Sequence, residues 1–525
     1  MPSYLSPGVY VEEVESGSRP IEGVGTSVAA FMGFAQKGPF NEPTLVTNWT
    51  QFTSVFGDFV EGTYLASSVY GFFANGGGIC YVVRIGGAGQ TDAADTAGQG
   101  EAGAGAPKEI GAGPTAQLGP YTVRALPGVT GQITVEVADP EGEDPPQDVF
   151  TVVVKRDGTV VETYPNVTTK RSKENVATQV RARSRLIGLE EPGKGAAPAR
   201  PEAQAVTLVV GPGTGPGAAV PDALSADSYV GDPDQRTGFG GLEAVEEITM
   251  VAAPDLMSAY QRGLLDLESV ISVQRGLITH CEAMGDRIAI LDPPPGLSPR
   301  QIKTWREETT GFASKYATMY YPWIKVFDPA AGRDAFVPPS GHVAGVWARN
   351  DDSRGVHKAP ANEVLRGAVA LQTQITKGEH DLLNPIGLNC IRAFPGRGIR
   401  VWGARTLADD PAWRYLNVRR LFNYLEESIL AGTQWVVFEP NDDALWARVR
   451  RTISAFLVNE WRKGALFGVT PDEAFYVKCD RETNPPESID AGQVICEVGV
   501  APVKPAEFVV FRLAQLSAGT GGVDE

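Results

Sequence analysis

The chain is poor in the residues that carry most enzyme chemistry. It has four histidines and five cysteines in 525 residues. His280, His342, His357 and His380 form neither an HExxH pattern nor a His-x-His pair. His280, Cys281 and Glu282 are contiguous on an expected helix, where neighbouring side chains diverge to different faces. Cys80, Cys281, Cys390, Cys479 and Cys496 are scattered, odd in number and free of any CxxC, which fits reduced, buried thiols. No serine sits in a GxSxG elbow. Positive charge is also short: 46 Lys and Arg stand against 63 Asp and Glu, a net charge of −17. Such a chain repels nucleic acid and anionic lipid except at a local basic patch. There is no uninterrupted apolar run of membrane-spanning length, and no charged-then-apolar leader follows Met1. These absences exclude the common catalytic and zinc motifs and lead to the expectation of no enzyme activity, no cofactor and no metal.

Two segments imitate ligand-binding loops and fail on chemistry. Gly188–Gly195 (GLEEPGKG) lacks the Ser or Thr that a phosphate-binding loop places after Gly193-Lys194 to hold magnesium, and a helix-like stretch precedes it. Asp232–Glu243 has the acidic spacing of a calcium loop. However, Arg236 puts a positive charge at a ligand position, and Thr237 stands where glycine makes the sharp turn.

The hydrophobic fraction of 42% and the 9% of aromatics are ample for packed cores, and the length predicts three or four domains. Strands and helices alternate from Thr26 to Ile85, with Asn48 as an N-cap before Trp49–Phe56, and the alternation resumes near Phe239. Met257–Met284 reads as one long helix, and Ser298 caps another. Between these halves, Gly86–Gly119 holds ten Gly and nine Ala and reads as a flexible linker; Gly211–Gly217 is a second one. The segments from Tyr121 to Val210 are short strands around one helix. After residue 400 the pattern is mainly helical, with an i, i+3, i+4, i+7 stripe at Val418, Leu421, Phe422, Leu425 and Ile429. The expected fold is therefore a multidomain α/β and α+β chain. It has a mixed-sheet α/β core (26–88 and 236–400), a β-rich inserted outer domain (89–235), a helical C-terminal domain (401–500) and arms at 1–25 and 501–525.

The arms stand out because both carry strand-type residues on short tethers. Ser6–Val14 (SPGVYVEEV) precedes Glu15–Gly25, and Val500–Pro505 precedes Ala506–Leu516 (AEFVVFRLAQL). Val9, Tyr10 and Val11, and Phe508, Val509, Val510 and Phe511, are their apolar centres. On composition two readings stand: each arm pairs within its own domain, or each adds a strand to the sheet edge of another subunit. A third feature is the helix Asp442–Lys463. Arg448, Arg451 and Arg462 fall opposite its Leu445/Val449/Ile453/Phe456 stripe, and the helix carries five basic against three acidic residues on an acidic protein. Again two readings stand, a solvated face or a contact for an acidic partner.

Ordered blocks along the chain resemble the contractile tail sheath family of phage tails, R-type pyocins and extracellular contractile injection systems. They are YLSPGVYVEEV (Tyr4–Val14), TSVAAFMGFAQKGP (Thr26–Pro39), NWTQFTSVFG (Asn48–Gly57), YLASSVYGFFANGGGICYVVR (Tyr64–Arg84), DRIAILDP (Asp286–Pro293), YATMYYPWIKVFD (Tyr316–Asp328) and VPPSGHVAGVWARND (Val337–Asp351). Between Asn384 and Glu497, NPIGLNCIR, RVWGARTL, YLNVRRLFNYLEESI and FEPNDDALWARVRRTISAFLVNEW follow in family order. The resemblance implies a structural subunit that stacks as hexameric rings around an inner tube, exchanges terminal strands with its neighbours and contracts without a cofactor. It implies as partners the subunit itself, the inner tube protein and baseplate and cap or terminator proteins, with no nucleic acid and no membrane insertion. It also implies assembly in the bacterial cytoplasm as part of a phage tail or tail-like particle. Arg448, Arg451 and Arg462 would then face the tube. A non-contractile lattice or capsid-type protein, or a soluble α/β enzyme, are the alternatives.

Overall fold

The computed structural model describes residues 20–86 and 223–512 continuously. Between them it describes 115–125, 131–140, 149–156, 158–170, 174–184, 186–190 and 204–210, with a few single positions. Strand β1 (Val28–Gly33) is buried at every position, the pattern of a strand covered on both faces. After β2 (Thr44–Val46), helix α1 (Trp49–Phe56) begins where the Asn48 side chain accepts the Gln51 N–H at 2.9 Å. Helix α2 (Leu65–Asn75) stops at Gly76, whose φ of 114° suits glycine, and β3 (Ile79–Arg84) returns parallel to β1.

The inserted segment has a core of its own. It contains β4 (Thr115–Leu118), β5 (Tyr121–Ala125), β6 (Gly131–Ala138), β7 (Val149–Arg156), β8 (Thr159–Thr168), α3 (Val176–Arg183), β9 (Ile187–Glu190) and β10 (Ala205–Val210). Two antiparallel sheets, in the orders β10-β6-β7-β8 and β4-β5-β9, close over Tyr121, Val135, Phe150, Val154, Val180 and Leu189. One expectation changes here. Thr115–Leu118 falls within the expected glycine-rich linker, yet it is a strand, because its ladder with β5 carries Leu118 into this core. The helix expected before GLEEPGKG is α3, and strand β9 follows it; Gly193 and Lys194 lie outside the described residues, as does Gly211–Gly217.

The main sheet is completed by the second half of the core. After α4 (Asp227–Val230) come β11 (Met250–Ala252), α5 (Leu256–Gln261), α6 (Leu267–Met284), β12 (Ile288–Leu291), α7 (Pro299–Thr304) and β13 (Ala317–Tyr321). Then follow β14 (Ile324–Asp328), β15 (Arg333–Val337), α8 (Ser340–Arg354), β16 (Glu363–Val364), β17 (Ala370–Leu371), α9 (Lys377–Leu383), β18 (Leu388–Phe394) and β19 (Gly398–Val401). The nine strands run β16-β19-β18-β13-β12-β11-β1-β3-β2; the inner six are parallel, β19 and β2 pair antiparallel to them, and β16 pairs antiparallel to β19. Val220 and Tyr229 pack into the core of this sheet. The single helix expected over Met257–Met284 is two helices. Gly263 turns the chain with φ +73°, and Asp266 recaps it by accepting the Ser269 N–H at 2.8 Å.

The C-terminal region packs α10 (Leu416–Gly432) against α11 (Asp443–Arg462) through Leu421, Leu425, Leu445, Trp446, Val449, Ile453, Phe456 and Leu457. Short α12 (Pro471–Ala474), β20 (Phe475–Lys478), α13 (Pro486–Asp490) and β21 (Glu497–Val500) follow. The sequence reading missed the antiparallel pair β20–β21, since its strands are four residues long and one contains glycine. Buried Arg420 ties this region to the core: its guanidinium donates to both Asp351 oxygens and to the Thr26 carbonyl at 2.9 Å, while the Thr26 hydroxyl donates to Asp351 at 2.7 Å. With every polar partner supplied, this ion pair holds β1, α8 and α10 in one arrangement.

Candidate assembly surfaces

The chain leaves the C-terminal region in a fixed direction. The Ala501 N–H donates to the Ala474 carbonyl at 2.8 Å, Pro502 bridges to Leu466, and the Val503 N–H reaches the Ala465 carbonyl at 3.2 Å. The Glu507 carboxylate is then gripped from four directions. It accepts from Arg405 Nε at 2.9 Å and Nη2 at 2.6 Å, from Asn384 Nδ2 at 2.8 Å and from the Tyr415 hydroxyl at 3.3 Å. Burial pushes this carboxyl up, but the hydrogen bonds and the charge of Arg405 outweigh it and hold the carboxyl below its ordinary value. The expected tether Val500–Pro505 is therefore pinned as far as Glu507. Sequence reasoning passed over this clamp; its one signal was a lone acid at the head of an apolar run.

Beyond the clamp, Phe508, Val509, Val510 and Phe511 are 73%, 69%, 76% and 83% exposed and pair with no strand. Four consecutive apolar residues do not alternate, so a strand made from them has apolar side chains on both faces. In water this is unfavourable surface; inside a sheet covered on both sides it is core material. At the other end, Val9, Tyr10 and Val11 lie outside the described residues. The expected tether Glu15–Gly25 is firm in its second half: Ile21 is buried against Gly432, and the Val24 N–H donates to the Ser428 hydroxyl at 3.1 Å. The reason is the small surface of α10 at Ser428 and Gly432, which lets the chain lie close.

Strands β20 and β21 make a sheet of two, so among the described residues each keeps an unpaired edge. Tyr476 and Val498 on it are exposed, and Phe438, Phe467 and Val469 are exposed elsewhere in the same region. A two-stranded sheet is marginal alone and gains from a third strand.

On α11 the structure separates the three arginines. Arg448 is half-buried; it donates to Glu439 at 3.0 Å and lies 4.6 Å from the Trp435 ring. Arg451 and Arg462 are exposed, with Ala455 and Asn459 between them, and neither has a partner among the described residues. They form an open basic stripe of two, with Arg448 held at its margin. Asp442 caps the helix, accepting the Leu445 N–H at 2.8 Å.

Glu282 and Asp232 are occupied structurally, while His280, His342 and His380 each keep a buried ring nitrogen unpaired among the described residues. Burial lowers His280 and His342 to about 4, and also lowers His357 and His380. Around His280 the neighbours diverge: Cys281 is fully buried, while Glu282 accepts the Ser314 hydroxyl at 2.6 Å. Asp232 accepts the Asp234 N–H at 2.8 Å and the Gln235 N–H at 3.3 Å, so it closes a turn. Among the described residues no group of three or more His, Cys, Asp or Glu is placed to hold a metal ion, and no helix is long and apolar enough to cross a membrane.

An apolar segment without a partner, an open sheet edge and a basic stripe are the surfaces left unfilled among the described residues. Residues 252–407 match the phage tail sheath protein central domain and residues 408–515 the phage tail sheath C-terminal domain. The tail sheath protein of Vibrio phage KVP40 is 27% identical over 243 residues, 43% of this chain and 35% of that protein. A putative prophage major tail sheath protein of Pseudomonas aeruginosa is 27% identical over 251 residues, 46% of this chain and 62% of that one. The chain thus spans less than two thirds of these relatives. In structure, the anti-feeding prophage helical sheath in its contracted state superposes with a TM-score of 0.58 at 24% identity, covering 97% of this chain and 99% of that one. The PVC sheath of an extracellular contractile injection system, also contracted, gives 0.57 at 24% identity over 98% and 99%. This chain belongs to the phage tail sheath family, and its fold is the sheath fold.

Proposed function

We propose that this protein is the sheath subunit of a contractile tail or injection machine, stacking as hexameric rings around an inner tube and contracting to drive the tube through a target envelope. The observation that carries the reading is the apolar Phe508–Phe511 segment projecting from the Glu507 clamp of a sheath fold whose β20–β21 sheet has open edges. In this reading the segment adds to the β20–β21 sheet of a neighbouring subunit, and Val9, Tyr10 and Val11 add likewise from the other end. Backbone hydrogen bonds supply the join, and the FVVF side chains supply the buried surface. Arms held by short pinned tethers let subunits rotate and slide without disconnecting. The energy of contraction is stored in the extended lattice at assembly, which removes the need for a nucleotide.

The same reading assigns the segment of about 89–235 to an outward-facing inserted domain, 26–88 with 236–400 to the sheath core and 401–500 to the tube-facing domain. Arg451 and Arg462, with Arg448 beside them, meet an acidic tube surface. Weak, exposed contacts of about 0.2–1 kcal/mol each suit a sheath that releases its tube on firing. Assembly takes place in the bacterial cytoplasm, with baseplate and cap proteins as further partners and neither nucleic acid nor lipid bound. Negative-stain microscopy of the purified full chain, alone and co-produced with its tube protein, tests the proposal. Hollow striated cylinders are expected; flat lattices, closed shells or monomers under all conditions overturn it.

A further inference from the structure

Two of the five cysteines scattered in the sequence meet in space. In the β20–β21 ladder Phe475 faces Val500, Tyr476 faces Gly499, Val477 faces Val498 and Lys478 faces Glu497. One step further, the same register sets Cys479 opposite Cys496, near enough that each thiol shifts the other's titration. The Ala501 N–H donating to the Ala474 carbonyl fixes the phase of the ladder. Counting from it, the Cys479–Cys496 pair falls on the non-hydrogen-bonded position, where facing side chains approach most closely. Typical Cα separations there, about 4.5 Å, lie within the range a disulfide spans.

The backbone on both sides of the pair is held. Arg450 donates to the Cys479 carbonyl at 3.0 Å, and Asn484 brackets the other strand, accepting the Ile495 N–H at 2.6 Å and donating to the Ile495 carbonyl at 3.0 Å. Cys479 is buried, whereas Cys496 is partly open to solvent. An accessible thiol beside a buried one is the arrangement of an entry thiol and a resolving thiol.

We propose that Cys479 and Cys496 are a reversible redox pair that closes to an intrachain disulfide by exchange with a small-molecule disulfide of the oxidised-glutathione class. The Cys496 thiolate attacks one sulfur of the reagent, forming a mixed disulfide and releasing one thiolate. The Cys479 thiolate then attacks the Cys496 sulfur and releases the second. The two protein protons end on the two released thiols, so two thiols and one disulfide become one disulfide and two thiols. Burial raises both protein thiols, Cys496 to about 12, so little thiolate forms near neutral pH and closure is slow. The bond staples the loop end of the hairpin that presents the open β20–β21 edges. Its bearing on arm docking rests on the strand-exchange reading; the bond itself does not.

The test uses the full chain incubated in mildly alkaline oxidised or reduced glutathione, quenched by acid alkylation and digested with trypsin without reduction. Cleavage after Arg481 separates the two cysteines, so the bond joins two peptides. The expected result is a Cys479–Cys496 linked pair in the oxidised sample alone, with unfolding of the C-terminal region shifted up by about 5 °C or more, as closing a loop of roughly 18 residues implies. Cys496→Ser and Cys479→Ala should lose both the link and the shift. Cys496→Ser, altering the partly open position, is the variant expected to fold normally. Two free thiols after oxidation, glutathione left on Cys496 without closure, or a shift that persists in Cys496→Ser would each overturn the proposal.

Discussion

Ending the chain at Glu507 separates the arm from its anchor. In the folded subunit Phe508–Phe511 contribute almost nothing, being 69% to 83% exposed, so their loss should change the melting free energy by no more than about 0.5 kcal/mol. In a lattice they contribute much more. Fully burying a Val or Phe side chain is worth about 1.5–3 kcal/mol, or roughly 6–12 kcal/mol for the four. Ordering four backbone residues costs about 4–8 kcal/mol, leaving a few kcal/mol per junction. A net term of that size at every subunit decides whether a polymer persists. Glu507→Ala does the opposite. It leaves the Arg405 side chain, 8% exposed, without its carboxylate, at a cost of about 2–5 kcal/mol to the subunit itself. A truncation at Lys504 would mix the two effects. The assay is thermal melting of the subunit beside sedimentation and microscopy of the polymer. The truncation should melt like the full chain and fail to form cylinders, whereas Glu507→Ala should melt early. Cylinders of normal length from the truncated chain would refute the arm as a donor. Early melting of that same chain would show that the segment belongs to its own fold.

Four further outcomes follow from the same structure. Arg451→Glu with Arg462→Glu should leave folding unchanged and yield empty or contracted sheaths when co-produced with tube, an effect partly mimicked by high salt during assembly; full-length filled particles would return these arginines to solvent. Bridging residues 88–218 with a short Gly/Ser link, which spares Val220 and Tyr229 for the core, should still permit cylinders; a folded subunit that cannot assemble would make the insert a lattice contact. Buried Asp292 is raised from 3.8 to about 7 by burial, against its hydrogen bonds from Ser340. A carboxyl raised in the folded state gives stability that is full below 3.8 and lost as pH rises towards 7, so Asp292→Asn should flatten the melting profile across that window. Glu507 is lowered instead, so its contribution is present above the ordinary carboxylate value and is lost as acid protonates it; Glu507→Gln should remove that acid-side loss.

Much of this protein was legible in the order of its residues. Continuous apolar runs such as Val28–Gly33 and Ile288–Leu291, short and bounded by turn residues, read as strands covered on both faces, and the helices between them made the sheet parallel. Asn48 and Asp442 announced their helices because a cap is a local interaction over three residues. The FVVF run announced its need for a partner, since no alternation hides one face. What depended on distant residues was illegible. The Arg405–Glu507 clamp joins positions 102 apart, and the Arg420–Asp351–Thr26 tie spans up to 394, so neither leaves a local pattern. Four-residue strands such as β20 and β21 carry too few residues to show a period, and it is their pairing alone that brings Cys479 to Cys496. On α11 the sequence placed three arginines on one face, because helical geometry is fixed by chain spacing. Only tertiary contact with Glu439 and Trp435 decided that Arg448 is held at the margin while Arg451 and Arg462 stay open.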